Sequence, residues 1–133
     1  MQRYSKGWII ILMGVLFLVA ACASQQPLVT MGHAKGEIAV AVTASNFKFE
    51  PNNIKAFKGD VLVVKLQNVS DSGHNFTVKD PLGQTVQNVT LPSKEMVAVK
   101  INLSETGTYE FYCDKPFHST FGMKGQIIVV QEP

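Results

Sequence analysis

The sequence predicts an all-β domain, built as a two-sheet antiparallel Greek-key sandwich. Short apolar runs rich in Val, Ile, Tyr and Phe recur along the chain, with Gly, Pro, Asn and Asp turns between them. Several of these runs alternate between apolar and polar residues, as strands do when one face is buried and the other is wet. No convincing helix is longer than a turn or two. Two sheets can bury such apolar faces against each other, which favours a sandwich.

Eight strands are predicted in chain order, most of them separated by turn residues. The strands at 38–42, 54–57 and 61–67 are divided by Glu50-Pro51-Asn52-Asn53 and Lys58-Gly59-Asp60. Those at 75–78 and 85–89 flank Asp80-Pro81-Leu82-Gly83. The strand at 96–103 follows Leu91-Pro92-Ser93, the strand at 108–112 follows Glu105-Thr106-Gly107, and the last strand spans 125–130.

The first 21 residues are interpreted as a secretory signal peptide. Arg3 and Lys6 precede an unbroken apolar run over 8–21, which is short for a membrane span. The run ends in Leu18-Val19-Ala20-Ala21-Cys22, which resembles the lipobox of bacterial lipoproteins, where the Cys is acylated and becomes the mature N-terminus. The alternative is an ordinary signal-peptidase site at the small residues Ala21 and Ala23, which leaves Cys22 unmodified or removes it.

Three segments follow from this interpretation. Residues 1–21 are the signal peptide, 22–36 are a lipidated N-terminus and flexible tether, and 37–133 are the folded domain. The prediction for localisation is an exported protein, lipid-anchored to a membrane on its periplasmic or extracellular side. His33 lies in the tether, where we expect no metal role.

Charge argues against a nucleic-acid partner. After residue 21 the chain has ten Lys against ten Asp plus Glu, so its net charge is close to zero. A nucleic-acid-binding protein shows a basic face or stripe, and none is evident here.

One short loop after a strand carries three metal-binding side chains: Cys113, His118 and Met123. Thiolate and imidazole with a long, weak thioether bond suit copper that undergoes one-electron transfer, and such a site needs a second imidazole. The other histidines are His33 and His74, and we select His74 because it begins a strand. The chain has two cysteines, and the lipobox accounts for Cys22. The alternative to a metal-binding role for Cys113 is that it is a buried core cysteine.

Several motifs together carry a family resemblance. They are Asn46-Phe47-Lys48-Phe49-Glu50-Pro51 with Lys58-Gly59-Asp60, then Gly73-His74-Asn75-Phe76, Gly107-Thr108-Tyr109-Glu110-Phe111-Tyr112-Cys113 and Gly122-Met123-Lys124-Gly125. Over residues 37–131 the chain resembles the cupredoxins, the family of plastocyanin, azurin and auracyanin. The resemblance implies one type 1 copper ion bound by His74, Cys113, His118 and, more distantly, Met123.

The resemblance also implies roles for neighbouring residues. The backbone N–H of Asn75 would point at the Cys113 sulfur and its side chain would join the His74 strand to the ligand loop; a plain turn asparagine is the alternative. Phe117 stands where many members of the family have Gly, whose backbone angles Phe disfavours.

A docking surface for redox partners is predicted around the ligand loop. Pro116, Phe117 and Phe121 would form an apolar collar, unless the two Phe rings pack into the core. Electrons would leave through the His118 edge or through Tyr112.

The predicted function is a membrane-tethered one-electron shuttle, a monomer and not an enzyme, because four protein ligands leave no position for a substrate. Its partners would be cytochromes, oxidases or reductases.

The alternative is a copper-delivery or copper-storage lipoprotein that uses the same site. A binuclear centre would need a second Cys in the loop, and multicopper enzymes would need more histidines than three.

Overall fold

The structure is a computed structural model that describes residues 26–32 and 36–133. The predicted signal peptide, the lipidation of Cys22 and His33 fall outside the described residues. In the described part of the chain the regular elements are all strands, and no helix there could cross a membrane.

Within residues 26–32 and 36–133, ten strands form two packed sheets, which confirms the all-β sandwich. They are β1 (Val29–Thr30), β2 (Glu37–Ser45), β3 (Lys48–Glu50), β4 (Asn53–Phe57), β5 (Val61–Asn68), β6 (His74–Lys79), β7 (Thr85–Leu91), β8 (Met96–Asn102), β9 (Gly107–Tyr112) and β10 (Lys124–Val130). One sheet has the order β1-β4-β10-β9-β6-β7 and the other β3-β2-β5-β8. Strands such as β2 alternate between buried and exposed residues, as their apolar pattern predicts.

The prediction of purely antiparallel sheets is wrong, because both sheets are mixed. Strand β2 pairs in parallel with β5, and β4 pairs in parallel with both β1 and β10. Parallel neighbours need a long connection. Between β2 and β5 the chain forms β3 and crosses to the other sheet as β4, which gives that length. Alternation of side chains reports which face is buried and carries no information on strand direction.

Two short strands were not predicted. Strand β3 has three residues, and its central Phe49 is fully buried. Strand β1 lies within the segment 22–36, where Val29 and Thr30 pair with Ile54 and Lys55. Met31, directly after β1, donates its N–H to the Lys55 carbonyl at 2.8 Å and packs against the core. Part of the N-terminal segment is therefore bound to the sheet edge.

An aromatic cluster fills the core between the two sheets. The ring of Phe49 meets those of Phe76 and Phe111 edge-on, at centroid distances of 5.5 and 5.7 Å. Gly125 allows β10 to pack closely on this cluster, because a Cβ there would lie 2.3 Å from the Phe111 ring and 2.4 Å from the Asn52 carbonyl oxygen. This packing sets the position of β10 immediately after the predicted ligand loop.

Candidate metal centre

Three neighbouring strands end or begin at the same end of the larger sheet. Strand β6 begins at His74, β9 ends one residue before Cys113, and β10 begins one residue after Met123. Strand β9 lies between the other two and pairs antiparallel with both. The sheet therefore brings the start of β6 together with both ends of the loop 113–123.

The side chains of His74, Cys113 and His118 converge at this end. Their ligand atoms all lie within 4.8 Å of one another. The two Nδ1 atoms are 3.3 Å apart, and Cys113 Sγ is 3.4 Å from His118 Nδ1. Donor atoms at this spacing leave room for one metal ion at about 2 Å from each nitrogen. His74 and Cys113 are fully buried, whereas His118 is half-buried.

Met123 is held against the same group by its backbone. Its N–H donates to the His118 carbonyl at 2.9 Å, and its carbonyl accepts the Cys113 N–H at 3.0 Å. The Met123 side chain is fully buried. The residues present thus fit the His, Cys, His and Met donor set that suits one copper ion. Ligation by the Met123 sulfur stays a prediction.

A buried hydrogen-bond network behind His74 determines which of its nitrogens carries the proton. Asn68 Nδ2 lies 2.8 Å from the Ser72 carbonyl and 2.9 Å from the Pro92 carbonyl, so it donates to both. Asn68 Oδ1 therefore faces Ser70 and accepts its hydroxyl proton at 2.7 Å. The single proton of that hydroxyl has two partners that can only accept, Asn68 Oδ1 and the Ser72 carbonyl at 2.9 Å. We therefore assign the hydroxyl oxygen as the acceptor of His74 Nε2–H, at 2.9 Å. The lone pair of His74 Nδ1 is left facing the metal position.

A second network joins the His74 strand to the ligand loop through Asn75. The side-chain oxygen of Asn75 accepts the Asp114 N–H at 2.8 Å. Its amide nitrogen donates to Thr77 Oγ1 at 3.2 Å, and Thr77 in turn donates to the Asp114 carboxylate at 3.2 Å. The residue that follows Cys113 is thus fixed to β6. A hydrogen bond from the Asn75 N–H to the Cys113 sulfur stays a prediction.

Burial lowers the pKa of His74 below its ordinary value, and the nearby positive charges of His118 and Lys115 lower it further. Lys115 lies close because its ammonium group donates to the Gly73 carbonyl. The neutral imidazole, which is the form that binds a metal, is therefore favoured in the folded protein.

The loop keeps the backbone conformation that Gly favours, although Phe117 occupies the position. Phe117 has a φ of 66°, in the left-handed region that bulky side chains rarely adopt. The Phe117 ring lies outside the core and is 70% exposed. Phe121 is 64% exposed, and Pro116 is exposed as well. The rings do not pack inward, which was the alternative to the collar.

Sequence reasoning missed the residues that support this site from outside the ligand set, which are Asn68, Ser70, Thr77 and Phe47. The ring of Phe47 meets His118 edge-on at 5.1 Å and Phe121 at 5.3 Å. Phe47 follows β2 in a turn of the other sheet and has a φ of 63°. Its neighbour Asn46 predicts a turn at this position, but no sequence pattern predicts that the turn contacts the loop that contains His118. Ser70 lies four residues before His74 in a non-helical bend, where that spacing predicts no contact, so the sequence carries no signal for it.

Soft sulfur and imidazole donors, held at one end of a two-sheet β sandwich, define a blue copper protein. The family model described as "Cupredoxin-like domain" matches residues 9–129, and the chain belongs to this family. The resemblance stated from the sequence, and with it the copper cofactor, is confirmed.

Known relatives agree with this assignment. Plastocyanin of Dryopteris crassirhizoma is 29% identical over 104 residues, which cover 70% of this chain and 98% of the plastocyanin. Dithionite-reduced auracyanin of Roseiflexus castenholzii has a similar fold, with a TM-score of 0.62, 17% identity and coverage of 74% and 99% of the two chains. The metal-binding domain of the Cu(I)-exporting P-type ATPase of Streptococcus pneumoniae D39, with Cu(I), reaches a TM-score of 0.61 at 17% identity and coverage of 79% and 97%. Fold alone therefore does not decide how the copper is used.

The Ser70 hydroxyl is expected to support metal binding. In Ser70→Ala, His74 Nε2 loses its acceptor, and copper affinity should fall about 10- to 100-fold, as when other hydrogen-bond partners of metal-binding imidazoles are removed. Competition with a chelator measures the affinity. The control is Ser93→Ala, which removes a 2.9 Å hydrogen bond to the Ser70 carbonyl and keeps the Ser70 hydroxyl. Equal losses in both variants would contradict the role of the hydroxyl.

The metal-free protein should lose stability in acid. Because the folded-state pKa of His74 lies below the ordinary value of 6.5, the unfolded chain binds more protons as the pH falls through that value. The free energy of unfolding should therefore decrease below about pH 6.5 and level off once the pH is below the folded-state pKa. Urea titrations across this range measure it. His74→Gln should flatten the profile, and an unchanged slope would contradict the assignment.

Proposed function

We propose that the protein is a type 1 copper electron-transfer protein, exported and held at a membrane by lipid on Cys22, that carries single electrons between redox partners outside the cytoplasmic membrane. The observation that carries the electron-transfer part is the buried cluster of His74, Cys113 and His118, with Met123 at its side. The membrane anchor is supported by the lipobox-like sequence before Cys22.

The protein contributes a fixed and dry set of donors. A copper ion bound there would supply the one-electron change between Cu(II) and Cu(I). Two hydrogen-bond networks, through Ser70 and through Asn75, hold the donors from behind. A site fixed in this way changes little between the two oxidation states, which suits electron transfer. Donors that all come from the protein leave no place for a substrate.

The route to a partner leads through His118, the one half-buried residue among these donors. We define the aromatic patch as Phe47, Phe117 and Phe121, which surround the His118 edge. Phe47 contacts the imidazole directly, and the rings of Phe117 and Phe121 lie 6.4 Å apart. Such an exposed apolar surface suits brief docking of a cytochrome, an oxidase or a reductase.

Strained backbone angles at two residues of the aromatic patch support a role in docking. Phe47 and Phe117 both have positive φ, a conformation that costs roughly 1–3 kcal/mol for residues other than Gly. Gly or Asn would adopt these backbone angles at a lower cost, yet this chain has an exposed aromatic ring at both positions. Tyr112 offers a second exit on the sheet, where it is half-buried with the Lys79 ammonium 5.8 Å from its ring centre.

Copper delivery is the competing function, and the burial of the donors argues against it. A delivery site must release its ion to an acceptor, whereas His74, Cys113 and Met123 are all closed to solvent. Retention of copper through many redox cycles would support the shuttle. Rapid loss of Cu(I) to an acceptor thiol would support delivery.

Reconstitution with Cu(II) should give an intense visible absorption that depends on Cys113. The absorption arises from the bond between copper and the thiolate, so Cys113→Ser should abolish it while the fold persists by circular dichroism. Cys22→Ser in the chain without its signal peptide is the control and should keep the colour. A colourless Cys22→Ser protein with cupric salt would rule out the blue copper site.

Removal of one ring from the aromatic patch should slow docking without changing the metal centre. Phe117→Ser is expected to lower the second-order rate with a soluble c-type cytochrome about tenfold, a typical effect of losing one well-placed apolar contact. The visible spectrum should stay the same. Leu82→Ser, at a residue 75% exposed in the loop after β6, is the matched control. Equal rates for the two variants would contradict a docking role for the aromatic patch.

A further inference from the structure

The N-terminal segment is attached to the domain by residue 26. Gln26 Oε1 accepts the Asn52 N–H at 3.1 Å, and Gln26 Nε2 donates to Glu50 Oε1 at 3.1 Å. The pairing of β1 with β4 and the hydrogen bond from Met31 follow within five residues. The chain is therefore bound to the sheet edge from Gln26 onward.

This attachment lies at the end of the sandwich that carries the metal centre. Strands β1, β4 and β10 are mutually parallel, so all three begin at the same end. Strand β10 begins directly after Met123. The Asn52 carbonyl, next to Gln26, accepts the Gln126 N–H at 2.8 Å. Gln26 and Phe121 also line one open cleft, so the chain enters the domain beside the aromatic patch.

The link to the predicted lipid is short. Three residues lie between Cys22 and Gln26, and four extended steps span at most about 14 Å. The sandwich itself is about 30 Å long, since β2 has nine residues. With a link this short, the end that holds Gln26 is kept near the bilayer and the opposite end is kept away from it.

We infer that the metal-centre end of the domain faces the bilayer that holds the lipid, and that the electron partner is a membrane-embedded protein whose redox centre lies close to that surface. The inference rests on the lipid anchor of the proposed function. The exposed Lys115 and Lys124 flank the ligand-loop rings in sequence, and apolar rings beside lysines suit the boundary between lipid headgroups and acyl chains. A soluble partner would have to enter the narrow space between patch and lipid.

Fluorescence from single tryptophans can measure this orientation without copper. The chain has one tryptophan, Trp8, which leaves with the signal peptide, so an introduced tryptophan is the sole donor. Phe121→Trp places it in the aromatic patch. Leu82→Trp places it at the opposite end, because β6 begins at His74 and runs away from the metal centre to the loop that contains Leu82. The lipidated chains are reconstituted in vesicles that contain a dansyl-labelled phospholipid.

Energy transfer to the dansyl headgroups should be several-fold greater from Phe121→Trp than from Leu82→Trp. Insertion of a twelve-residue Gly-Ser linker (roughly 40 Å when extended) between Ser24 and Gln25 should make the two signals similar. The same insertion between His33 and Ala34 is the control, because it leaves the link before Gln26 unchanged and should preserve the difference. Similar transfer from both tryptophans without the linker would overturn the orientation.

Further outcomes separate the inference from the anchor on which it rests. Mass spectrometry of the mature chain reports the lipid on Cys22, and its absence would overturn the anchor itself. A lipidated chain with greater transfer from Leu82→Trp would overturn the orientation alone. Strong transfer from Phe121→Trp that survives the Ser24–Gln25 linker would show that the patch binds lipid unaided, which overturns the role of the link.

The partner is tested with copper-loaded protein and a soluble c-type cytochrome. On vesicles the cytochrome should react several-fold faster with the Ser24–Gln25 linker variant than with the parent chain, because the linker opens the patch. The His33–Ala34 variant should react like the parent. Equal rates for the parent and both variants would overturn the preference for a membrane-embedded partner.

Discussion

The close approach of three metal-binding atoms is the constraint on which the rest of the structure depends. His74 Nδ1 lies 3.3 Å from His118 Nδ1, which lies 3.4 Å from Cys113 Sγ, and two of these three side chains are fully buried. Lone pairs brought together in a dry site repel each other unless a cation or a proton lies between them. The hydrogen bonds around the cluster hold it in that position.

Hydrogen bonds on two sides of the cluster provide this support. Asn68 and Ser70 direct the His74 proton away from the metal position, and Asn75 fixes the residue that follows Cys113. The first network joins the ends of β5 and β7 to His74, while the second joins β6 to the ligand loop. The donors are thereby fixed by both sheets, and a site fixed from both sheets needs little rearrangement when an electron arrives.

The two features that we propose connect the protein to its surroundings lie at one end. The aromatic patch surrounds the His118 edge at the metal-centre end of the sandwich. Gln26 attaches the N-terminal segment to the same end. Two residues of the patch, Phe47 and Phe117, adopt positive φ and present their rings outward. The positive-φ residues and the attached N-terminal segment therefore lie at the surface through which we propose that electrons pass.

The sequence by itself determined the four predicted ligands and the faces of most strands. Cys113, His118 and Met123 are close along the chain, and few histidines could complete the set with them, so donor chemistry alone nearly selects His74. Only the tertiary structure decided the parallel pairing of β2 with β5, the attachment of β1, the contacts of Ser70 and Phe47, and the exposure of Phe117. These features depend on residues that are far apart in sequence or on a backbone angle that loop packing imposes, and a pattern of apolar and polar residues carries neither kind of information.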